Sequence, residues 1–169
     1  MAQGSGLNME STSELYIKEV AASVSYAHSK NIQIGGYNLM SSSREVGEAG
    51  ECLNQDGSLG SASCLASAWS DEYFSKIKAF IEQTNFDMIE TDGPYEGAKC
   101  ANKSHTHHQG YGDSAWTQYE RNMDFYSWCV WRSGAVCCFM KYKLSVVMYP
   151  IRRLRVRLKI IGNLQTTHD

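Results

Sequence analysis

The chain has 169 residues, of which 43% are hydrophobic and 20% are charged, a balance that excludes wholesale disorder and supports a packed core. Its net charge of −2 hides an asymmetry, because residues 1–131 hold 8 basic and 17 acidic side chains, whereas residues 132–169 hold 8 basic side chains and one acid. A sign change of that size predicts two segments of different kinds. No run of 18 apolar residues occurs and no signal peptide follows Met1, so we expect no membrane span and leave the compartment open.

Helices and strands alternate in the prediction for the acidic segment. Apolar residues recur at helical spacing in three stretches, residues 13–29, 70–84 and 113–130. Two short apolar runs are typical of buried strands, residues 32–39 and 86–92. The right-handed crossover rule predicts that these two strands are parallel and adjacent, with the helices packed outside. This order predicts an α/β fold whose parallel sheet is either open or closed into a barrel.

Short polar residues mark the starts of two predicted helices. Ser70 and Asp113 are the predicted N-caps of the second and third helices, because such side chains accept hydrogen bonds from free backbone N–H groups. A loop rich in Ser, Gly and acids, residues 41–67, precedes the second helix, and loops of that length are usually functional or disordered. Its one base, Arg44, either forms solvated salt bridges or contacts a polar substrate.

The segment after the second strand concentrates polar chemistry. Glu90 and Asp92 close the apolar run, and Gly93-Pro94 then ends the strand. Carboxylates at the carboxyl end of a buried strand occupy the position where α/β folds keep their active sites. A polar loop follows with three histidines, His105, His107 and His108. The competing interpretations are a turn-stabilising Asp before Gly and solvated loop histidines.

The six cysteines form no CxxC pair and show no spacing typical of zinc sites. Cys52 and Cys64 flank a Gly/Ser-rich loop, so they either close it as a disulfide in an oxidising compartment or remain two free thiols. The His-x-His-His motif lacks a matched second ligand set. We therefore expect no metal site and no cofactor.

The basic segment, residues 132–169, has a different pattern. Residues 134–140 are apolar and could form another buried strand. A hairpin of residues 142–149 with residues 153–160 could protect a sheet edge with its Arg and Lys side chains, and the alternative is a sequence not selected to fold here. We expect no nucleic-acid partner, because the end of this segment lacks stacking aromatic residues.

Four stretches of the acidic segment carry a resemblance to a known family, namely IGGYNL (34–39), FDMIETDGPY (86–95), CANKSHTHHQG (100–110) and residues 113–126. Together they resemble α-galactosidase-like glycoside hydrolases, a clan of retaining enzymes built on a (β/α)₈ barrel. The similarity spans about residues 11–131. It implies a partial TIM barrel with parallel strands over residues 11–131, a divergent basic, β-prone tail over residues 132–169, and a carbohydrate substrate.

The resemblance also implies roles for individual residues. Carried over by position, the catalytic nucleophile falls on Asp92. Many relatives have Lys where Glu90 stands, so Glu90 is expected to support the site or bind a sugar hydroxyl. Further substrate contacts are expected from a set of polar residues, Tyr95, His105, His107, His108, Asp113 and Arg44. No residue is assigned as the general acid.

Chain length divides the functional hypotheses. A (β/α)₈ barrel usually needs about 250 residues, so the sequence is expected to be a fragment of a glycoside hydrolase that cleaves glycosidic bonds. The alternative is a non-catalytic carbohydrate-binding or inactive truncated remnant. Relatives of this kind are expected to be secreted or extracytoplasmic, and the oligomeric state is left open.

Overall fold

A computed structural model describes residues 7–92, 97–133 and 136–140 of the chain. The helices are α1 (Glu14–Ser29), α2 (Ala68–Thr84) and α3 (Ser114–Ser133). The strands are β1 (Gly35–Asn38), β2 (Glu51–Leu53), β3 (Leu59–Ser63), β4 (Met88–Asp92) and β5 (Val136–Met140), and a short 3₁₀ helix spans Gly47–Ala49. The described residues therefore form a mixed α/β fold, as the alternating patterns predicted.

A small parallel sheet contains β1, β4 and β5, with β4 in the centre. The β1–β4 ladder runs from the pair Gly35–Met88 to the pair Asn38–Thr91. β5 pairs in parallel with the other edge of β4 along its whole length. The prediction that the strands at residues 32–39 and 86–92 are parallel and adjacent is confirmed by the pairing of β1 with β4. Each next strand of this sheet is reached through a helix, the connection that parallel strands need.

The long loop after β1 is organised by a second, antiparallel sheet. β2 and β3 pair as a hairpin in which Glu51 lies beside Ser63 and Leu53 beside Leu59. In the hairpin turn, the Asn54 N–H donates to the carbonyl oxygen of Ser58 at 2.9 Å. The 41–67 loop is thus partly a hairpin that periodicity did not predict.

The start of α2 differs from the prediction. The residue that precedes the helix is Ser67, whereas Ser70 lies inside the first turn and is fully buried. The Ser70 hydroxyl is 2.8 Å from the carbonyl oxygen of Leu65 and 2.7 Å from that of Ser67. The prediction that Ser70 caps α2 is therefore wrong, because its hydroxyl satisfies carbonyl groups before the helix instead of helical N–H groups.

The core lies between the helices and one face of the parallel sheet. Ile89 and Thr91 of β4 are each 1% exposed, and the Thr91 hydroxyl lies 2.6 Å from the hydroxyl of Tyr126 on α3. α2 contributes a buried stripe with helical spacing, Phe74, Ile77, Phe80 and Ile81. Burying side chains of this size stabilises the fold by about 1.5–3 kcal/mol each. This packing holds β4 against α3 and so fixes the position of the carboxyl end of β4.

The predicted boundary near residue 131 falls inside α3, which extends to Ser133. The predicted strand at 134–140 is present as β5, the third strand of the parallel sheet, so the described part of the basic segment belongs to the α/β fold. The proposed hairpin of residues 142–149 and 153–160 lies outside the described residues. Within the described ranges, no helix is long and apolar enough to span a membrane.

Candidate functional site

The carboxyl end of the parallel sheet is where the sequence predicted catalytic chemistry. Asp92 is the last residue of β4, the central strand, and Glu90 is aligned with Tyr37 of β1. The side chains of Glu90 and Asp92, and the whole of Tyr95, lie outside the described residues. The backbone thus ends the central strand at the predicted acid, and the roles of all three residues stay predictions.

Arg44, a predicted substrate contact, is part of the protein interior. Its side chain is 6% exposed, and its Nε donates to the Glu10 carboxylate at 3.1 Å. The other two nitrogens donate to the carbonyl oxygens of Leu39 at 2.8 Å and Ser42 at 2.7 Å. The guanidinium also lies 4.4 Å from the ring centroid of Tyr73. A guanidinium engaged on all three nitrogens and shielded from solvent serves the protein interior, and the predicted contact of Arg44 with a substrate stays a prediction.

Asp113 organises the loop that carries the histidines. One carboxylate oxygen accepts from the N–H of Gln109 at 2.9 Å, and the other accepts from the N–H of Gly110 at 3.0 Å. The bond from Gln109, with that from Gly110, outweighs the opposing effect of burial and holds the pKa of Asp113 below its usual range. Both oxygens thus hold the loop together, which gives Asp113 a structural role, and its predicted contact with a sugar stays a prediction.

His107 joins this loop to two helices. Its Nε2 lies 2.9 Å from Oδ2 of Asp71 on α2, and Asp71 also pairs with Arg121 on α3. The Nε of Arg121 donates to the carbonyl oxygen of Leu65 at 2.6 Å. The His107 side chain keeps 31% exposure. Of the three predicted histidines, it is the one that solvent reaches.

The junction around Asp71 predicts a pH-dependent contribution to stability. Burial raises the pKa of Asp71, but the hydrogen bonds from His107 and Arg121 together lower it by more than burial raises it. The pKa of Asp71 therefore lies below its usual value. A lowered folded-state pKa gives stability that is present above the unfolded pKa of about 3.9 and is lost as pH falls through the folded value. The Asp71 side chain is 53% exposed, so solvent screening keeps this contribution below about 1 kcal/mol.

We therefore expect Asp71→Asn to lower the free energy of unfolding at pH 7 by less than about 1 kcal/mol, with the difference from the parent chain shrinking as the pH falls through the folded-state pKa of Asp71. Urea unfolding at several pH values measures it. Asp124→Asn, which changes an exposed acid on α3, is the matched control and should leave the profile unchanged. A pH-independent loss in Asp71→Asn would show that packing, not charge, holds the junction.

His105 and His108 are buried in a cluster with two cysteines. Their exposures are 6% and 5%, so both rings lie in the interior, and the predicted contacts with a sugar stay predictions. One ligand-type atom from each of Cys64, Cys100, His105 and His108 lies within 4.8 Å of all the others. Nδ1 of His105 is 3.5 Å from Sγ of Cys100 and 3.4 Å from Nε2 of His108. The loop after β4 therefore turns these two rings inward, toward the β2–β3 hairpin.

The hairpin supplies the thiols on the other side of the cluster. Cys52 and Cys64 are free thiols in the structure, so the disulfide that the sequence allowed is not formed. Cys64 directly follows β3, and Cys52 of β2 lies in one buried cluster with Cys64 and Cys100. The Cys52 thiol also donates to the carbonyl oxygen of Ala98 at 3.3 Å. The hairpin and the histidine loop thus meet through three thiols and two imidazoles.

Hydrogen bonds shift the pKa values inside this cluster in opposite directions. Those from Cys52 and Cys64 lower the pKa of Cys100 against the effect of burial, with a further contribution from His105. The bonds to Cys100 and Cys64 raise the pKa of Cys52, and burial adds to that rise. Burial lowers the pKa of His105, but its bonds to Cys100 and Cys64 outweigh this and raise it to about 10. Among these thiols, Cys100 is therefore the one whose ionised form the surrounding hydrogen bonds favour.

Sequence reasoning missed this cluster as a unit. The local signal is Cys100-x₄-His105-x₂-His108, three ligand-type residues within one short loop. The fourth member, Cys64, comes from a distant hairpin and has no sequence spacing to connect it with the loop. Only the folding of the hairpin onto the loop brings the set together, so the expectation of no metal site rested on spacing alone.

Comparison with protein-family models, with curated proteins and with solved structures finds no match to this chain.

Proposed function

We propose that the chain is part of a retaining glycoside hydrolase of the (β/α)-barrel type, in which Asp92 is the nucleophile. The observation that carries it is the position of Asp92 as the last residue of the central parallel strand. In α/β folds, substrates bind at the carboxyl ends of parallel strands. The sheet order β1-β4-β5 follows the chain, with a helix between successive strands, which is the order of neighbouring strands in such a barrel.

The two faces of β4 support the same interpretation. Ile89 and Thr91 are 1% exposed and pack toward the helices, whereas Met88 of the other face is only half-buried. Side chains alternate along a strand, so positions 90 and 92 share the face of position 88. In a barrel that face is the interior, whose open end holds the catalytic groups.

The proposed roles are narrower than the sequence predicted. Asp92 attacks the anomeric carbon, Glu90 supports it or binds a hydroxyl, and Tyr95 borders the sugar. The general acid is not assigned. His107 remains a candidate for the rim of the site, because it keeps solvent exposure. The resemblance carries the substrate class, an α-galactoside-like sugar, and the alternative remains a non-catalytic sugar-binding protein.

A mechanism-based covalent label tests Asp92 as the nucleophile in a reaction that needs no general acid. A 2-deoxy-2-fluoro-α-galactosyl fluoride needs no general acid, because fluoride leaves unaided as the Asp92 carboxylate forms an ester bond to the anomeric carbon. The fluorine at C2 slows hydrolysis of that ester. We expect intact-mass spectrometry to show one fluorosugar per chain, and peptide mapping to place it on Asp92.

Asp92→Asn should abolish this label, because an amide is a far weaker nucleophile than a carboxylate. Asp56→Asn, in the exposed turn of the β2–β3 hairpin, is the matched control and should label normally. Labelling of Asp92→Asn at the parent rate would refute the nucleophile role. Saturable sugar binding without any label in the parent chain would favour the non-catalytic alternative.

A further inference from the structure

We propose that Cys64, Cys100, His105 and His108 bind one Zn²⁺ ion as a structural metal centre, a site that does not depend on the proposed glycosidase chemistry. The four donor atoms are two thiol sulfurs and two imidazole nitrogens, all within 4.8 Å of one another. Tetrahedral zinc with bonds of about 2.3 Å to sulfur and 2.0 Å to nitrogen needs donor separations of roughly 3.3–3.8 Å. The His105–Cys100 and His105–His108 separations, 3.5 and 3.4 Å, already fall in that range.

Backbone carbonyl groups select which nitrogen each ring turns inward. Nε2 of His105 lies 2.9 Å from the carbonyl oxygen of Glu48, and Nδ1 of His108 lies 3.1 Å from that of Gly110. A carbonyl oxygen only accepts, so these outer nitrogens carry the protons. Nδ2 of Asn102 is also 3.2 Å from Nε2 of His105, but it donates to the Glu48 carbonyl at the shorter distance of 2.9 Å. Carbonyl acceptors orient metal-binding histidines in this way.

The consequence is a buried point toward which four electron-pair donors converge. The inner nitrogens of His105 and His108 face each other at 3.4 Å, with the sulfurs of Cys64 and Cys100 beside them. Without a metal ion, only shared protons on the thiols and imidazoles can bridge these four buried atoms. A proton on the inner nitrogen of His105 can bond to one neighbour at a time. A Zn²⁺ ion satisfies all four donors at once.

The surroundings fit a structural ion rather than a catalytic one. All four side chains are buried, and four protein ligands complete a tetrahedron, whereas catalytic zinc keeps a position open for water. The N–H of Leu53 points at Sγ of Cys100 from 3.5 Å and supports a thiolate there. Mixed thiolate and imidazole ligands in a tetrahedron favour Zn²⁺ over Mg²⁺ or Ca²⁺. The ion would join the β2–β3 hairpin to the loop that precedes α3.

Cys52 is the neighbour that competes with this assignment. Its sulfur lies in the same buried cluster as Cys100 and Cys64 but donates to the carbonyl oxygen of Ala98 at 3.3 Å, so we place it beside the centre rather than in it. Oxidation of Cys52 with Cys64 would remove one zinc ligand. Metal binding and that disulfide therefore exclude each other.

The test measures metal in the full chain purified under reducing conditions with Zn²⁺. We expect one zinc per chain by inductively coupled plasma mass spectrometry. Replacement with Co²⁺ should give the intense visible bands of a tetrahedral site and thiolate-to-cobalt charge transfer. Cys64→Ser and His105→Ala should lose the metal. The matched controls, Cys129→Ser on α3 and His107→Gln in the same loop, should keep it, because both residues lie outside the four-ligand set.

His108→Cys keeps the proposal testable if the other variants fail to fold. It exchanges a nitrogen ligand for a third thiolate, so the metal should remain and the cobalt charge-transfer intensity should rise roughly 1.5-fold. Cys52→Ser should leave that intensity unchanged. A parent chain that is folded by circular dichroism but takes up no Zn²⁺ or Co²⁺ would overturn the proposal. A native mass lower by two hydrogens, with Cys52 linked to Cys64 under reducing purification, would also overturn it.

Discussion

Gly35→Ala is expected to lower the free energy of unfolding by about 3 kcal/mol, at the upper end of what overpacking costs. A Cβ at position 35 would overlap the Cγ and the carbonyl oxygen of Met88 and lie 2.9 Å from the Met88 carbonyl carbon. Gly35 and Met88 are direct partners in the β1–β4 ladder. Because two of these three atoms belong to the backbone, no side-chain rotation relieves the overlap, and the two strands must separate.

Urea unfolding of the parent chain and the variant measures this effect. Gly112→Ala is the matched control, because no heavy atom lies within 4 Å of a Cβ built there. It makes the same change in unfolded-chain entropy, which by itself stabilises by about 0.4–1 kcal/mol. Equal stability of the two variants would mean that β1 does not approach β4 as closely as the structure has it.

Most of the α/β order followed from local spacing. The predicted helix at 13–29 became α1 at Glu14–Ser29, and the predicted strand at 86–92 became β4 at Met88–Asp92. The first strand shortened from 32–39 to Gly35–Asn38, because β1 forms a ladder only where β4 runs beside it. Periodicity reports which residues can be buried, whereas strand length depends on the partner strand.

The β2–β3 hairpin could not be predicted in the same way. β3 has the sequence Leu59-Gly60-Ser61-Ala62-Ser63, whose small residues give no apolar alternation. The buried cluster of Cys52, Cys64, Ala66 and Cys100 joins the hairpin region to a loop far along the chain. Nonlocal packing of small thiol side chains therefore replaces the large apolar residues on which strand prediction relies.

The candidate site shows the same division between local and nonlocal information. The end of β4 at Asp92 could be predicted, because a strand followed by Gly-Pro has a local signature. The burial of His105 and His108 could not, since their polarity predicts exposure and the distant Cys64 and the Glu48 carbonyl lie among their partners. Polar residues that hydrogen-bond to one another in the interior have the same composition as an exposed loop. Composition therefore cannot tell the two apart.

Arg44→Met is expected to lower the free energy of unfolding by about 3 kcal/mol, the lower end of the cost of breaking a buried ion pair, because the Arg44 side chain is 6% exposed but that of its partner Glu10 is 30% exposed. Methionine keeps an apolar stem against Tyr73 but withdraws the donors that serve Glu10 and the carbonyl oxygens of Leu39 and Ser42. Unpaired carbonyl groups add to the cost when they stay shielded from water. Chemical denaturation at neutral pH measures the loss.

The comparison with an exposed pair separates burial from charge. Lys76→Met removes the cation of the Lys76–Glu72 pair on α2, whose side chains are 36% and 68% exposed, and should cost no more than about 0.5 kcal/mol. A substrate-binding Arg44 would behave like Lys76 in unfolding, because its donors would face solvent until sugar arrived. If Arg44→Met were as stable as Lys76→Met, the guanidinium would be accessible to solvent. That result would favour the predicted sugar contact over an interior role for Arg44. A loss of unfolding free energy of about 3 kcal/mol would be about six times the roughly 0.5 kcal/mol expected for the exposed pair. Such a loss would show that Arg44 holds the loop after β1 in the core.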